Sequence, residues 1–537
     1  MQNADNSDKT IDAVIVGAGF AGIYMLHKLR QQGLGARGME AGSGVGGTWY
    51  WNRYPGARCD IPSMQYSYQF SEDLQQEWEW SEKYATQGEI LTYAEHVVER
   101  FGLRDGMTFN SRVLATHYLS EEERWQVQLD SGEEIQARFV VMATGCLSKP
   151  NYPNIDGLNQ ASVPVYHTAN WPHDGVDFTN MRVGVIGTGS SAIQSTPIIA
   201  EQAQSLTVFQ RTPNYSIPAY NEPLDPDYVA QLKSRYAEYR QENWARGFGA
   251  DFNDNDQSAF DVSDDERQQA YEERWAKGGL AFLAAYNDLV FDMHANDTAR
   301  AFFKSKIAAR VDDPSLTEKL VPSTPIGCKR LCVDTHYYEI YNQAHVSLVD
   351  LNETPITRIE GNAILTGTIR CEVDAIVLAT GFDAMTGAVM NIDIRGKNGL
   401  SLQDKWATGP KAYLGLATAG FPNLFLVTGP GSPSVLSNML PSIEQHVEWI
   451  ASCIEFMDRH QHRSIDPDRD AEEAWIEHVN EVADTSVYPG CNSWYLGANV
   501  EGKSRVFMPY LGVPPYVEKC NEVVAAGYAG FKLSGTS

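Results

Sequence analysis

Two short runs of apolar, β-branched residues, each followed by a glycine-rich turn, stand out along the chain. Residues 11–16 (Ile-Asp-Ala-Val-Ile-Val) and 182–186 (Arg-Val-Gly-Val-Ile) have the pattern of buried parallel strands. Gly-Ala-Gly-Phe-Ala-Gly follows the first run, and Gly-Thr-Gly-Ser-Ser-Ala follows the second. Strand, glycine turn and helix form the opening of a dinucleotide-binding βαβ unit, so the pattern predicts two such units.

Two similar segments, residues 140–145 (VVMATG) and 376–381 (IVLATG), fit strands that return to the two sheets. Because the chain after residue 381 must complete the first unit, we expect the second unit to be inserted in the first. Residues 222–320 are charged and carry apolar residues at helical spacing, which predicts a helical insertion. The apolar series are Val229, Leu232, Tyr236 and Tyr239, then Phe282, Tyr286, Leu289 and Met293.

The predicted fold class is therefore α/β, with two Rossmann-like dinucleotide-binding domains, the second inserted in the first. We expect the first domain to comprise residues 8–148 and 383–535. The second domain comprises residues 149–221 and 321–382, with the helical insertion at 222–320.

The net charge of the chain argues against some classes of binding partner. The 537 residues include 42 Lys and Arg against 69 Asp and Glu, a net charge of −27. This acidic balance argues against nucleic acid and against anionic membrane surfaces as partners. No apolar stretch is long enough to span a bilayer, and the polar, acidic N-terminus is unlike a secretory signal. The eight cysteines are scattered without a CxxC pair, which predicts isolated thiols in a reducing cytoplasm.

The first glycine turn has the features of a site for the ADP half of FAD. Gly17 permits the tight turn, Gly19 lets the backbone approach a pyrophosphate, and Gly22 lets the helix pack closely on the strand. The phosphates would rest on the helix N-terminus. Glu40, 23 positions after Gly17, is placed to accept the ribose hydroxyls. The first domain is thus the predicted FAD-binding domain.

The second glycine turn is followed by a different type of residue at the position that would contact the ribose. The position 24 residues after Gly187 is Arg211, followed by Thr212, and there is no acid nearby. An arginine fork grips a 2′-phosphate but cannot accept from ribose hydroxyls, which predicts NADPH in the second domain. Two nucleotide sites without a metal-binding motif indicate hydride transfer between cofactors.

Five further segments carry distinctive motifs. They are GGTWYWNRYPGARCD at 46–60, HTANWP at 167–172, KRLC at 329–332, GPGSPS at 429–434 and SWYLGAN at 493–499. Residues 46–60 resemble the signature GGxWxxxxYPGxxxD of the Baeyer–Villiger monooxygenases, which are class B flavoprotein monooxygenases, and the other four segments also resemble this family. The resemblance extends from about residue 10 to 532 and is strongest to the phenylacetone and steroid monooxygenase branch. One departure is Ala161 and Val163, where the family has Phe and Gly, so domain motion or coupling of NADPH to oxygenation is expected to differ.

The resemblance implies that the protein converts ketones to esters or lactones with NADPH and O2. The implied route runs through a C4a-peroxyflavin and a tetrahedral Criegee intermediate, with side activity on sulfides, in a monomer or homodimer. An alternative is a flavin monooxygenase that oxygenates nitrogen or sulfur atoms. It would not need a fixed cation for attack on a carbonyl.

The same resemblance implies roles for individual residues. Arg330 is the fixed cation beside the flavin, and Asp60 is the partner that holds it. Arg330 in a merely structural ion pair, and Asp60 as a helix N-cap, remain alternatives. Trp494 would contact bound NADP+ or belong to an aromatic core, and His167 would orient the linker between the domains.

The expected site residues form two sets. Cofactor-binding positions are Gly17, Gly19, Phe20, Gly22, Glu40, Gly47, Thr48, Trp49, Tyr54, Asp60, Gly187, Thr188, Gly189, Ser190, Arg211, Thr212, Lys329, Arg330 and Trp494. Trp49 and Tyr54 are expected to wall the isoalloxazine, unless they only pack in the core. The expected substrate pocket is formed by Ile61, Cys146, Leu147, Val435, Leu436 and Met439. No metal ligands are expected.

Overall fold

The computed structural model describes residues 10–498, 500, 502 and 509–535. Residue 8, where the first domain was expected to begin, and Asn499 of the last motif lie outside them. The strands are β1 Thr10–Val16, β2 Ala36–Met39, β3 Met107–Thr108, β4 Val113–Leu119, β5 Arg124–Leu129, β6 Glu134–Met142, β7 Val165–His167, β8 Arg182–Ile186, β9 Ser205–Gln210, β10 Ser216–Pro218, β11 Cys332–Asp334, β12 Val346–Asp350, β13 Ile356–Glu360, β14 Ala363–Thr366, β15 Arg370–Glu372, β16 Ala375–Leu378, β17 Asp393–Arg395, β18 Leu424–Leu426, β19 His462–Pro467 and β20 Phe531–Gly535.

The helices alternate with the strands at each end of the chain and cluster in its middle. They are α1 Phe20–Gln31, α2 Thr48–Trp51, α3 Glu72–Glu77, α4 Gln87–Arg100, α5 Ser190–Gln202, α6 Pro226–Ser234, α7 Tyr236–Trp244, α8 Asp264–Lys277, α9 Met293–Ala308, α10 Pro314–Leu320, α11 Gly387–Met390, α12 Leu402–Lys405, α13 Met439–Arg459, α14 Arg469–Asp484 and α15 Val513–Ala525. In the described part of the chain, none of them is long and apolar enough to cross a membrane.

The first sheet is built from both ends of the chain. Its strand order is β17-β4-β5-β6-β1-β2-β3, with β18 paired to the end of β6. The strands β6, β1, β2, β3 and β18 run parallel, whereas β5 is antiparallel to β4 and to β6. The apolar runs predicted at residues 11–16 and 140–145 are thus neighbours, with Val16 opposite Met142.

The second sheet is wholly parallel, in the order β12-β9-β8-β16-β7. Its central strands β8 and β16 are the second pair of apolar runs that the sequence predicted. Both strands are buried on both faces, which is why they are continuously apolar and do not alternate. The α/β fold class with two Rossmann-like sheets is confirmed.

Helices α6 to α10 occupy the predicted helical insertion. The first apolar series is divided between α6 and α7. The second series is also divided, because Phe282 lies in the 3₁₀ helix Leu280–Ala284 and α9 begins only at Met293. The Asp292 side chain caps α9 by accepting from the backbone N–H groups of His294 and Ala295, so this N-cap fixes the start.

The unusual linker positions are accommodated without backbone strain. Ala161 and Val163 pack against an apolar cluster of the second sheet that includes Phe209 and Ile376. Neither has a positive φ, so the structure does not require glycine at position 163. Whether the departure alters domain motion or coupling stays a prediction.

The prediction that all cysteines are isolated thiols is wrong. Cys328 and Cys491 form a disulfide between Cα atoms 6.3 Å apart, and the other six cysteines are free. The two positions are 163 residues apart and lie in no recognisable spacing, so pattern alone could not pair them.

A buried carboxyl on α13 should make stability depend on pH. Burial raises the pKa of Glu444 to about 8, although it accepts hydrogen bonds from the backbone N–H groups of Gln69 and Phe70. Because the folded pKa exceeds the unfolded one, stability falls as pH rises from about 4.5 through about 8. We expect Glu444→Gln to stabilise the protein by roughly 3 kcal/mol more at pH 9 than at pH 5. Thermal unfolding at both pH values tests this, with exposed Glu455→Gln as the control. Equal effects at both pH values would contradict it.

Candidate active site

The two glycine turns have the same construction. Gly17 and Gly187 follow β1 and β8 with φ of 109° and 115°, values that favour glycine. A Cβ at position 17 would lie 2.5 Å from the carbonyl oxygen of Ala143. A Cβ at position 187 would lie 2.4 Å from the carbonyl oxygen of Ala379. Each turn is therefore closed against the end of its own neighbouring strand, β6 or β16.

The helices after these turns present free backbone N–H groups. The N-caps of α1 and α5 are Gly19 and Gly189, and neither helix has a side-chain cap or an acidic residue in its first turn. A Cβ added at Gly189 would point into open space, with nothing within 4 Å. A ligand can therefore approach the backbone closely there. Uncapped N–H groups and the positive end of the helix dipole suit a pyrophosphate at each turn.

Glu40 is fixed at the first turn. Its Oε2 accepts from Ala18 N at 2.8 Å and its Oε1 from Gly42 N at 2.7 Å, and the residue is 6% exposed. A carboxylate oxygen can accept more than one hydrogen bond, so both oxygens retain capacity for ribose hydroxyls. The residues at the first turn fit the ADP half of FAD.

Two cations, Arg211 and Lys329, lie close to each other at the second turn. Burial lowers the pKa of Lys329, and the neighbouring Arg211 lowers it further. Among the described residues no carboxylate oxygen forms a salt bridge with either side chain. Thr188 Oγ1 donates to the carbonyl of Thr212 at 2.7 Å and holds this corner in shape. Neighbouring cations of this kind fit the 2′-phosphate of NADPH.

A cavity of about 740 Å³ joins the two turns. Most of the predicted site residues line it: Gly17, Gly19, Phe20, Glu40, Gly47, Thr48, Trp49, Tyr54, Asp60, Ile61, Cys146, Leu147, Gly189, Ser190, Arg330, Val435, Met439 and Trp494. The others do not: Gly22, Gly187, Thr188, Arg211, Thr212, Lys329 and Leu436. Gly22 instead faces Gly17, where a Cβ would lie 1.8 Å from the Gly17 carbonyl oxygen.

A bidentate ion pair forms one wall of the cavity. Arg330 Nε and Nη2 donate to Asp60 Oδ2 and Oδ1 at 2.6 and 2.8 Å, and Arg330 Nη1 donates to the Val435 carbonyl at 3.0 Å. Burial opposes the charge of Arg330, but Asp60 outweighs burial and raises the arginine pKa further above its usual value. The guanidinium is therefore a fixed, permanently charged donor at the cavity wall.

Sequence analysis missed two aromatic neighbours of Arg330. The Phe248 ring lies beneath the guanidinium, with 5.8 Å from its centroid to Cζ, and comes from the loop between α7 and α8. Tyr495 lies beside Arg330 and is buried. Tyr495 directly follows Trp494 in a matched motif and could have been found there, whereas no motif marks Phe248.

Hydrogen bonds also tie α5 to the first domain's signature loop. Tyr54 Oη donates to Gln194 Oε1 at 2.8 Å, and Gln194 Nε2 donates to the Arg58 carbonyl at 3.1 Å. Trp49 Nε1 donates to Tyr66 Oη at 3.2 Å, so both predicted wall residues are held by partners. Gln194 and Tyr66 line the cavity and were not predicted.

His167 is a structural residue in this arrangement. It is 3% exposed, and burial lowers the pKa of its imidazole. Its Nδ1 accepts from Ala169 N at 3.0 Å, and its Nε2 lies 3.3 Å from Thr380 Oγ1. The contact with Thr380 joins the end of β7 to the residues after β16, which supports the expectation that His167 orients the linker.

Comparison with known proteins gives consistent matches along nearly the whole chain. The family model described as pyridine nucleotide-disulphide oxidoreductase matches residues 14–272. A Baeyer-Villiger monooxygenase of Pseudooceanicola batsensis is 38% identical over 98% of this chain and 97% of its own. A phenazine N-monooxygenase of Lysobacter antibioticus is 39% identical, covering 98% of each chain. A solved steroid monooxygenase bound to NADP is 51% identical, with a TM-score of 0.94, covering 98% of this chain and all of the other.

Proposed function

The chain belongs to the Baeyer–Villiger monooxygenase family, and we propose that it uses FAD, NADPH and O2 to convert ketones to esters or lactones. The single observation that carries the proposal is Arg330, held by Asp60 at the wall of a cavity that also reaches both glycine turns. Relatives named acetone and cyclohexanone monooxygenases, each 38% identical, support a ketone as substrate.

Arg330 supplies the charge that this reaction needs. When an oxygen atom attacks a ketone carbonyl, negative charge develops on the substrate oxygen, and a preorganised cation stabilises it. Asp60 and the Val435 carbonyl occupy Arg330 Nε, Nη2 and Nη1, so the fork cannot rotate away from the cavity. Phe248 covers one face of the guanidinium, with 5.8 Å between its ring centroid and Cζ.

The cofactors would be held by the residues already described. Bound FAD supplies the oxygen-activating chemistry, with its ADP half on the Gly17–Gly22 turn and Glu40. Bound NADPH would rest on the Gly187–Ser190 turn, with Arg211 and Lys329 at its 2′-phosphate and Trp494 at the cavity wall.

Removing Arg211 should change coenzyme preference. We expect Arg211→Ala to weaken NADPH binding by roughly 1.5–3 kcal/mol, the scale of a hydrogen bond to a charged group. NADH lacks the 2′-phosphate, so its use should change little. The KM values for both coenzymes measure the effect, with the exposed Arg358→Ala as control. Equal losses for both coenzymes would mean that Arg211 does not bind the phosphate.

Product analysis tests the proposed reaction. The purified protein should be yellow with bound FAD, and with NADPH, air and phenylacetone it should form the ester. An enzyme that consumes NADPH over a panel of linear, cyclic and aryl ketones without forming ester or lactone would contradict the proposal.

Oxygenation of nitrogen or sulfur is the second candidate function. The phenazine N-monooxygenase relative favours it, since it is 39% identical to this chain and the cyclohexanone monooxygenase relative is 38% identical. A thioether and a nitrogen heterocycle in the same assay separate the two: sulfoxide or N-oxide without ester would favour the alternative. Sulfide oxidation beside ester formation fits a side activity.

The remaining organisation is part of the same proposal. We assign residues 8–148 and 383–535 to FAD and residues 149–221 and 321–382 to NADPH, because the two sheets draw their strands from these ranges. We propose a monomer or homodimer in the cytoplasm, where NADPH is regenerated.

A further inference from the structure

One covalent bond connects two segments that both reach the proposed active site. Cys328 directly precedes Lys329 and Arg330, and Cys491 lies three positions before Trp494. The disulfide therefore joins the segment that carries the fixed cation to the segment whose indole lines the cavity.

The second of these segments, residues 488–498, is held by side-chain packing and by the disulfide. Among the described residues, its backbone hydrogen bonds are made only with positions 486–500. Just before it, Val487 N donates to the Val290 carbonyl at 2.9 Å. Tyr495 and Leu496 are buried in the main apolar cluster, so the segment opens rarely, and loss of the cross-link leaves mainly this packing to hold it in place.

The side chains of the segment depend on that position. The rings of Trp494 and Tyr495 lie 4.4 Å apart, and Tyr488 meets Tyr495 at 5.7 Å between centroids. Tyr495 lies beside Arg330, so a shift of the segment would change both the cavity wall and the surroundings of the cation.

We propose that the Cys328–Cys491 disulfide positions Trp494 and Tyr495 beside Arg330, and that its reduction by a dithiol loosens this wall of the active site. The proposal rests on the proposed oxygenase function for its consequence. With the wall loosened, water reaches the site, and more of the O2 consumed leaves as hydrogen peroxide instead of entering the ketone.

Common reagents can reduce the disulfide and form it again. A dithiol such as dithiothreitol attacks the disulfide; the S–S bond breaks, two protein S–H groups form, and the dithiol becomes a cyclic disulfide. Hydrogen peroxide reverses the change, since two thiols give up two electrons and two protons and the peroxide becomes two water molecules. Peroxide from uncoupled turnover would thus restore the bond.

Both cysteines are buried, at 0% and 7% exposure, so reduction requires the segment to open and should be slow.

The test compares the holoenzyme before and after dithiothreitol treatment and removal of the reagent. Alkylation after denaturation should count six thiols before treatment and eight after it. Hydrogen exchange of residues 488–498 should speed up by about tenfold on reduction, because the closed state is no longer cross-linked. Peroxide formed per NADPH should rise about threefold, with weaker NADP+ binding, since small misplacements in an active site cost much of its efficiency.

Two variants sharpen the comparison. Cys328→Ala/Cys491→Ala should behave like the reduced enzyme and should not respond to dithiothreitol. Cys371→Ser, at a free cysteine on β15, should respond as the wild type does. If the double variant fails to fold, reduction of the wild type and its reversal by peroxide still decide the question.

Three results would overturn the proposal: eight thiols before reduction, unchanged exchange of residues 488–498 in fully reduced enzyme, or an unchanged peroxide ratio despite faster exchange. Failure of the proposed function is separate, because an enzyme that makes no ester in either state can still show the thiol count and the exchange response.

Discussion

Arg330→Ala should slow ester formation by roughly 10²–10³-fold while leaving a folded, yellow protein. FAD should remain bound, because its phosphates would rest on the Gly17–Gly22 turn and not on this side chain. The substrate oxygen would lose the cation that Asp60 holds at the cavity wall. Loss of one preorganised charge partner costs about 3–4 kcal/mol, or roughly 10²–10³ in rate.

Measuring flavin reduction and oxygenation separately distinguishes loss of the cation from general damage to the protein. Bleaching of the flavin by NADPH under anaerobic conditions should persist, although it slows if Arg330 also helps to seat the nicotinamide. On mixing with O2 and ketone, the variant should release mostly hydrogen peroxide and only a trace of ester. Arg330→Lys keeps a charge but cannot make both bonds to Asp60, so it should fall between the two. Ester formation by Arg330→Ala at a near wild-type rate would make Arg330 structural.

The central strands of the sheets were predictable because a strand buried on both faces is a continuous run of apolar residues. Residues 182–186 form β8 as predicted, and residues 140–142 and 376–378 end strands that close on the glycine turns. The series from Phe282 to Met293 predicted helix without its bounds, because apolar spacing does not record where a cap begins a helix. Asp292 carries that information in its side chain, and its position before Met293 was a usable signal.

The site was only partly predictable, since its key contacts join distant positions. Asp60 and Arg330 lie 270 residues apart, and only the resemblance of two motifs suggested their pairing. Phe248 reaches Arg330 from a loop with no motif, and Cys328 meets Cys491 through the fold alone. Contacts of this kind depend on how segments pack, which local propensity does not encode.

Asp60→Ala should slow ester formation by roughly 100-fold, which corresponds to about 3 kcal/mol, because a half-buried arginine would lose its only carboxylate partner among the described residues. The guanidinium would keep the Val435 carbonyl but lose the two bonds that fix its plane. Asp60→Asn should be nearly as harmful, since its amide group would place N–H donors against the N–H donors of Arg330.

A double-variant cycle decides whether Asp60 acts through Arg330 or directly on the substrate. If Asp60 only positions the cation, it has nothing left to position in the Arg330→Ala background. The double variant should then form ester no more slowly than Arg330→Ala alone, so the two losses should be strongly non-additive. Additive losses would mean that the carboxylate contributes independently of Arg330. Peroxide formed per NADPH, measured in all four proteins, adds a second check, because it should rise in each variant and be highest wherever Arg330 is absent.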